Sequence, residues 1–391
     1  MSLANKPLDE ITEDDLQQLR VDQVPESKTI DYKEFQIEDT RDAKTEFLAD
    51  VSSFANASGG HLILGIKEDE GIPVEISGLQ IDPDKEKLRL ENLIRDGIEP
   101  RLPGVTIHAV SLSTSNYALV IHVPRSWAMP HRVIFNRHAH FYSRHSAGKY
   151  KLDVPELRAA FTQSDTVYER IRNFRAERLS MIVADEAPLP LGGGTGLALH
   201  VIPFNAFDPS IRHDLAPLMA SAGILRPMGG GGSTPIYNLD GILSYGASTN
   251  SYLQVFRTGC IEAVDSNFLQ ENQRGVSIPS VAFEFQLLQA MTTSLEIQRL
   301  LGAEPPFAVM VSMLGVRGLP LNVVDVRIPG RGRPINRDAL ILNEVIVETF
   351  DVEPAQALHP IFDTVWNAAG YAGSFNYSPE GVWGEGLNSP G

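Results

Sequence analysis

Two groups of residues in this chain could do chemistry. The first is acidic: Glu26 and Asp31 in ESKTIDYK, then Glu68 and Asp69 in GIKEDEG. Carboxylates from two separate segments can share one divalent cation if the fold brings them together. The ion would then polarise a phosphoryl oxygen or lower the pKa of a water. The competing reading is that these are solvated acids of turns and strand edges, where most acids lie. The second group is basic and aromatic. From Arg101 to Leu152 there is no Asp or Glu, yet the stretch holds seven Lys or Arg and six His. Within it Arg125, His131, Arg132, Arg137, His138, His140, Arg144 and Lys149 interleave with Trp127, Phe135, Phe141, Tyr142 and Tyr150. Cations suit phosphate, and π-faces suit bases. The alternative is that the aromatics alternate into a core while the basic groups face water. His138 and His140 stand two apart with no Cys nearby, which falls short of a zinc motif.

Two glycine-rich segments are weaker candidates. In FANASGGHLILGI, Asn56, Gly59 and Gly60 sit between a helix and a buried strand. There a Gly pair lets the backbone approach a ligand or a neighbour closely. No Lys-Ser/Thr follows at P-loop spacing. The loop PMGGGGSTP resembles a phosphate cradle only by its glycines and reads as a surface loop.

The elements that must position these groups are legible. Thr12 caps an acidic helix over residues 1–25 that turns Leu16 and Leu19 inward. In the strand TIDYKEF, alternation puts Asp31, Lys33 and Phe35 on one face and Ile30 and Tyr32 on the other. Phe47, Leu48, Val51, Phe54 and Ala55 recur at helical spacing from Lys44 to Ala57, and HLILGI reads as a buried strand. A helix over residues 83–97 points Leu88, Leu90, Leu93 and Ile94 inward. GVTIHAVSL and NYALVIHVP read as strands, HRVIFNRHAHFYSR as a hairpin. Asp153 and Glu156 form a capping box for a helix reaching about Met181. Strands in pairs with helices packed on them make this part α+β.

A linker, ADEAPLPLGGGTG, separates a second α+β domain over residues 197–370. Its expected elements are a strand LALHVIPF, a helix over 211–222, a hairpin turning at Thr258-Gly259, a helix over 283–301, a strand FAVMVSML and a helix over 355–369. The tail over 371–391, rich in Gly, Ser, Asn and Pro, is expected to fray.

Bulk composition narrows the classes. The chain has 391 residues, 43% of them hydrophobic, and a net charge of −16. That charge opposes nucleic-acid binding by the whole surface, so any phosphate contact must be local. One cysteine, Cys260, cannot form an internal disulfide. The N-terminus lacks a secretory pattern, and the longest apolar run is too short for a membrane span. A cytoplasmic location and no membrane partner are expected; a homo-oligomer is compatible.

Taken together, ESKTIDYK, FLADVSSFANASGGHLILGIKEDEGIPVEISGL and FYSRHSAGKYKLDVPELRAAF resemble the Schlafen/AlbA-type domain of bacterial proteins, over residues ~10–165 and with the domain itself at 26–165. Residues 166–184 are then a helix extension and linker. Bacterial members of the family are described as ATP-binding or DNA-binding, and animal Schlafens use the fold to cleave transfer and ribosomal RNA. The resemblance implies a nucleic-acid-binding protein, with Glu26, Asp31 and Glu68 at the three acid positions of the family's metal-dependent endoribonucleases. Mg²⁺ or Mn²⁺ would be the cofactor, and Lys33, Arg144 and Lys149 would meet phosphate. Asp stands at 31 and Glu at 68 where the family's nucleases carry Glu and Asp, which changes each carboxylate's reach by one methylene. The alternative is a DNA-binding or ATP-binding regulator without nuclease chemistry, using Asn56, Gly59 and Gly60. The second domain resembles no family.

Overall fold

The computed structural model describes residues 6–102, 104–137, 139–146, 148–190, 194–208, 211–229, 233–246, 250–272, 275–323 and 333–384. The chain forms two α+β units, Met1–Val167 and Tyr168–Gly391.

In the first unit, α1 (Glu13–Val21) leads to β1 (Ile30–Lys33), α2 (Arg41–Ala55), β2 (Gly60–Leu64), the hairpin β3 (Lys67–Asp69) and β4 (Ile72–Glu75), and α3 (Pro83–Gly97). β5 (Ile98–Glu99), β6 (Thr106–Ser111), β7 (Tyr117–Val123), β8 (Arg132–Val133), β9 (His140–His145) and β10 (Gly148–Lys151) follow. The helix α4 (Val154–Val183) comes next. Its start is a reciprocal cap: Asp153 accepts from the Glu156 amide, and Glu156 accepts from the Asp153 amide.

Two sheets result. One has the order β1-β2-β7-β6, with β1 parallel to β2 and the other pairs antiparallel. The other is β10-β9-β8-β5, all antiparallel. Leu16 and Leu19 of α1 cover one face of the first sheet, with Ile30, Tyr32, Ile63 and Val120. On its other face Phe47, Leu48, Val51 and Phe54 of α2 meet Leu62, Leu64, Leu119 and Ile121. α2 also packs on β8, β9 and β10 of the second sheet. A helix with a sheet on each side is buried all round, and Phe47 through Ala55 are all buried. α3 departs from expectation at Leu88, which is 60% exposed while Leu90 and Ile94 are buried. Two positions before Leu90 is about 200° round the helix, away from the core.

In the second unit, β11 (Gly196–Pro203) is followed by α5 (Ala216–Ala220), β12 (Ser233–Tyr237), β13 (Gly241–Gly246), β14 (Ser251–Phe256) and β15 (Ile261–Asp265). Then come β16 (Gln270–Asn272), β17 (Gly275–Pro279), α6 (Ser280–Leu300), β18 (Phe307–Leu314), β19 (Leu321–Asn322), β20 (Ala339–Ile341), β21 (Val345–Val347) and α7 (Pro354–Ala368). An eight-stranded antiparallel sheet runs β12-β13-β14-β15-β11-β18-β20, with β21 also on β18. The helix expected over 211–222 shrinks to five residues, because Pro217 is tolerated only in a first turn. Glu262 is fully buried, where burial works against its charge. His200 and Arg178 outweigh that and hold its carboxyl down to about 2. Residues 371–384, expected to fray, are docked instead. Ser374, Asn376, Trp366 and Trp383 all donate to the buried Glu284 carboxylate at 2.7–2.9 Å. The rest of the tail, the centre of the PMGGGGSTP loop (230–232), His138 and the Arg137 side chain lie outside the described residues. No helix among the described residues is long and apolar enough to cross a membrane.

Candidate functional site

The acids and the cations singled out in the sequence meet, but they meet each other. Asp31 is on the face of β1 that looks toward α2, and it is 6% exposed. One of its oxygens accepts from Lys33 Nζ at 2.6 Å and the other from Arg144 Nη2 at 2.7 Å. The Arg144 guanidinium, 3% exposed, also lies 3.7 Å over the Phe54 ring of α2. Burial alone would raise the Asp31 carboxyl; Lys33 and Arg144 overcome it and hold it below the usual range. Burial likewise works against the charge of Lys33, and Asp31 and Asp50 keep it protonated.

Lys149, on β10, turns to α2 rather than to water. Its Nζ donates to Asp50 at 2.6 Å and to Glu46. Asp50 is 3% exposed, and burial pushes its carboxyl up despite Lys149. Glu26 adjoins Asp31 and accepts from the Tyr32 amide at 3.0 Å; burial, then Asp31, push its carboxyl up. Three cations thus face four carboxylates: Lys33, Arg144 and Lys149 against Glu26, Asp31, Asp50 and Glu46.

Glu68 is exposed on the β3–β4 hairpin and folds back on its own turn, accepting from the Gly71 amide at 2.5 Å. The Gly71 carbonyl in turn accepts from the Glu26 amide at 2.7 Å, so the hairpin positions Glu26. As arranged, these acids do not fit Mg²⁺ or Mn²⁺. Both Asp31 oxygens are taken by cations, and Glu68 is turned to an amide. Among the described residues no group of three or more His, Cys, Asp or Glu could hold a metal.

The other expected contacts resolve one by one. His131, expected on phosphate, is fully buried. It bonds the Pro100 carbonyl through Nδ1 at 2.7 Å and Ser126 Oγ through Nε2 at 2.6 Å. Burial pushes it down to about 4. The neutral ring therefore donates from Nδ1 and accepts at Nε2. Asn56, expected on a nucleotide, is buried and donates to the carbonyls of His131 and Tyr142 at 2.7 and 2.8 Å. It accepts from the His131 amide at 2.7 Å. Gly60 has φ +151°, and a Cβ there would stand 2.3 Å from the Thr29 carbonyl oxygen; at Gly59 it would stand 2.6 Å from the Arg125 amide nitrogen. The Gly pair thus serves a close crossing of backbones. Arg132 pairs with Glu99 at 2.6 Å.

What remains at the surface is aromatic as much as basic. The Arg125 guanidinium lies 4.2 Å over Trp127. On the β9–β10 hairpin His145 stacks on Tyr150, ring centres 5.1 Å apart and planes 23° from parallel. The Tyr150 hydroxyl donates to Glu156 at 2.9 Å, which fixes the ring. His140 is half-buried, its ring 6.2 Å from that of Tyr142. Sequence reasoning missed Asp50, Glu46 and Glu99, the acids that take these cations. Asp50 carried a signal: it sits among the apolar residues of FLADVSSFA, and a buried carboxylate needs a cation.

An α+β domain with a helix clasped between two sheets, and an ion-pair network between them, is thus the class this first unit defines. Residues 26–153 match the family described as Schlafen, AlbA_2, and this part of the chain is a Schlafen/AlbA_2 domain. Among solved structures, the chain is similar to the DIP2311 protein from Corynebacterium diphtheriae. Identity there is 19%, over 35% of this chain and 26% of that one, with a TM-score of 0.25. The chain spans about a quarter of that protein's length. It is also similar to the N-terminal domain of an ATP-dependent DNA helicase RecG-related protein from Nitrosomonas europaea. Identity there is 24%, over 29% of this chain and 74% of that one, with a TM-score of 0.24. No curated protein matches the chain.

Proposed function

We propose that the Schlafen/AlbA_2 domain binds nucleic acid by stacking unpaired bases on its surface aromatic residues, without metal-dependent cleavage. The observation that supports this is the pair of stacks, the Arg125 guanidinium on Trp127 and the His145 ring on Tyr150, on a stretch with no acid from Arg101 to Leu152. Both stacks put a π-face beside a polar or charged group, the combination that single strands use. Lys33, Arg132, Arg144 and Lys149 contribute little to phosphate, because each already faces a carboxylate. The second unit has no assigned part in this reading.

The test is fluorescence anisotropy of the full chain with a labelled ~20-nucleotide single strand, in RNA and DNA forms, with ATP as competitor. Base stacking contributes ~1–3 kcal/mol, so Trp127→Ala and Tyr150→Ala should each weaken binding about 5- to 150-fold. Because few free cations meet phosphate, binding should weaken only modestly between ~50 and ~200 mM salt, by well under a thousandfold. Unchanged affinity in both variants removes the reading. Mn²⁺-dependent cleavage of transfer RNA that is lost in Glu26→Ala would replace it with an endoribonuclease.

A further inference from the structure

The second sheet carries its own row of rings, on the face turned away from α2. Along β9, Tyr142 packs into the apolar cluster of α2 and Arg144 lies over Phe54. Side chains alternate along a strand, so Phe141, Ser143 and His145 share the opposite face. Tyr150 of β10 is paired with Ser143 and joins them. Phe141 meets a further ring there, Phe161 of α4, with centres 6.2 Å apart and planes at 75°. Phe161 is 53% exposed, although burial is the usual state of so large an apolar ring.

The order along this face is Phe161, Phe141, Tyr150, His145. Tyr150 and Phe141 are diagonal neighbours on adjacent strands, ~7–8 Å apart. Stacked bases on one strand advance only ~3.4 Å. A duplex cannot seat neighbouring bases on stations that far apart, whereas an extended single strand can. A cation for its phosphate is at hand. Val154, Arg158 and Phe161 stand at helical spacing on one side of α4, and all three are exposed. Arg158 makes no ion pair among the described residues. Glu156 is the one acid from Val154 to Thr162, and its two oxygens accept from the Tyr150 hydroxyl and the Asp153 amide. The exposed Asp165, one turn beyond Phe161, repels phosphate and ends the row there.

We propose that Phe161 and Arg158 extend the stacking surface onto α4. The domain then seats at least two successive unstacked bases, one on the His145–Tyr150 stack and one on Phe161, with Arg158 on a phosphate. Phe141 lies between the two stations and props Phe161. This assignment rests on the base stacking proposed above and narrows its ligand to an extended single strand rather than a duplex.

The test uses the full chain and labelled oligouridylate and oligothymidylate of ~4 to ~16 nucleotides, read by fluorescence anisotropy. Phe161→Leu keeps apolar bulk against Phe141 and removes the planar face, so it should weaken binding about 5- to 150-fold. Phe161→Trp restores a π-face and should bind like the parent. Arg158→Gln should lower the slope of log affinity against log salt by ~0.7, the share of one phosphate on a single strand. An unlabelled duplex should compete poorly. Thermal melting of each variant checks that it folds. If Tyr150→Ala is weakened and Phe161→Leu is not, the station on α4 is overturned and the base-stacking reading stands. If Trp127→Ala, Tyr150→Ala and Phe161→Leu all bind like the parent, both fall. A weak Phe161→Trp variant that melts like the parent, an unchanged salt slope in Arg158→Gln, or a duplex that competes as well as the single strand also overturns the assignment.

Discussion

Replacing Arg144 by methionine keeps most of the side chain's bulk against Phe54 and removes its charge from Asp31. The carboxylate, 6% exposed, is left with Lys33 alone. Removing one partner of a buried pair costs ~3–5 kcal/mol. Two facts place Arg144→Met at the low end. Lys33 still pairs with the other Asp31 oxygen, and Arg144 Nε and Nη1 have no hydrogen-bond partner among the described residues, so part of its desolvation is never repaid. About 3 kcal/mol then corresponds to a fall of roughly 6–12 °C in the melting of the first unit. The assay is calorimetry at neutral pH, where Asp31 is charged because its carboxyl is held below the usual range. The double variant Asp31→Asn/Arg144→Met removes both charges and should recover most of the loss. A single variant within ~1 kcal/mol of the parent, or a double variant no better than the single, would refute the network as the support of this site.

Two other outcomes follow from the same unit. His131 has a folded pKa of about 4 against 6.5 for the free side chain, so it contributes stability above pH 6.5 that is lost as pH falls toward 4. The full loss is about 3 kcal/mol, and His131→Gln should flatten the slope of melting temperature between pH 7 and 5. The raised carboxyls of Glu26 and Asp50 act oppositely, adding stability as pH falls, so the variant and the parent must be compared at each pH. Gly60→Ala should fail to fold: its Cβ would lie 2.3 Å from the Thr29 carbonyl oxygen at φ +151°. Soluble, cooperatively melting Gly60→Ala protein would count against the crossing seen here.

Most elements of the fold were legible in the sequence. The alternation in TIDYKEF separated Ile30 and Tyr32 from Asp31 and Lys33, and the structure puts the first pair in the core under α1 and the second toward α2. The periodic apolar residues of α2 marked the helix but not its burial on all sides, since a second sheet made of distant β8, β9 and β10 supplies the far wall. Leu88 shows the limit from the other side: an apolar residue near a helical stripe is not on it. The tail misled by composition. Its Ser374, Asn376 and Trp383 are held because one buried carboxylate, Glu284, needs donors, and no local pattern announces that need.

The candidate site was half legible for a more general reason. An acid-free stretch reads as a free basic surface only if the acids elsewhere in the chain stay away from it. Here Asp31 from β1, Glu46 and Asp50 from α2 and Glu99 from β5 all come to the cations of that stretch. The exclusion of acids from residues 101–152 is then what pairing requires: like charge placed locally, opposite charge delivered by the fold. Charge runs lie in one dimension and ion pairs in three, so composition identified the residues and misassigned their partners. The aromatic residues were not subject to this error. A π-face is not neutralised by a distant carboxylate, so the proposed stacking on Trp127 and Tyr150 does not depend on which cations are paired.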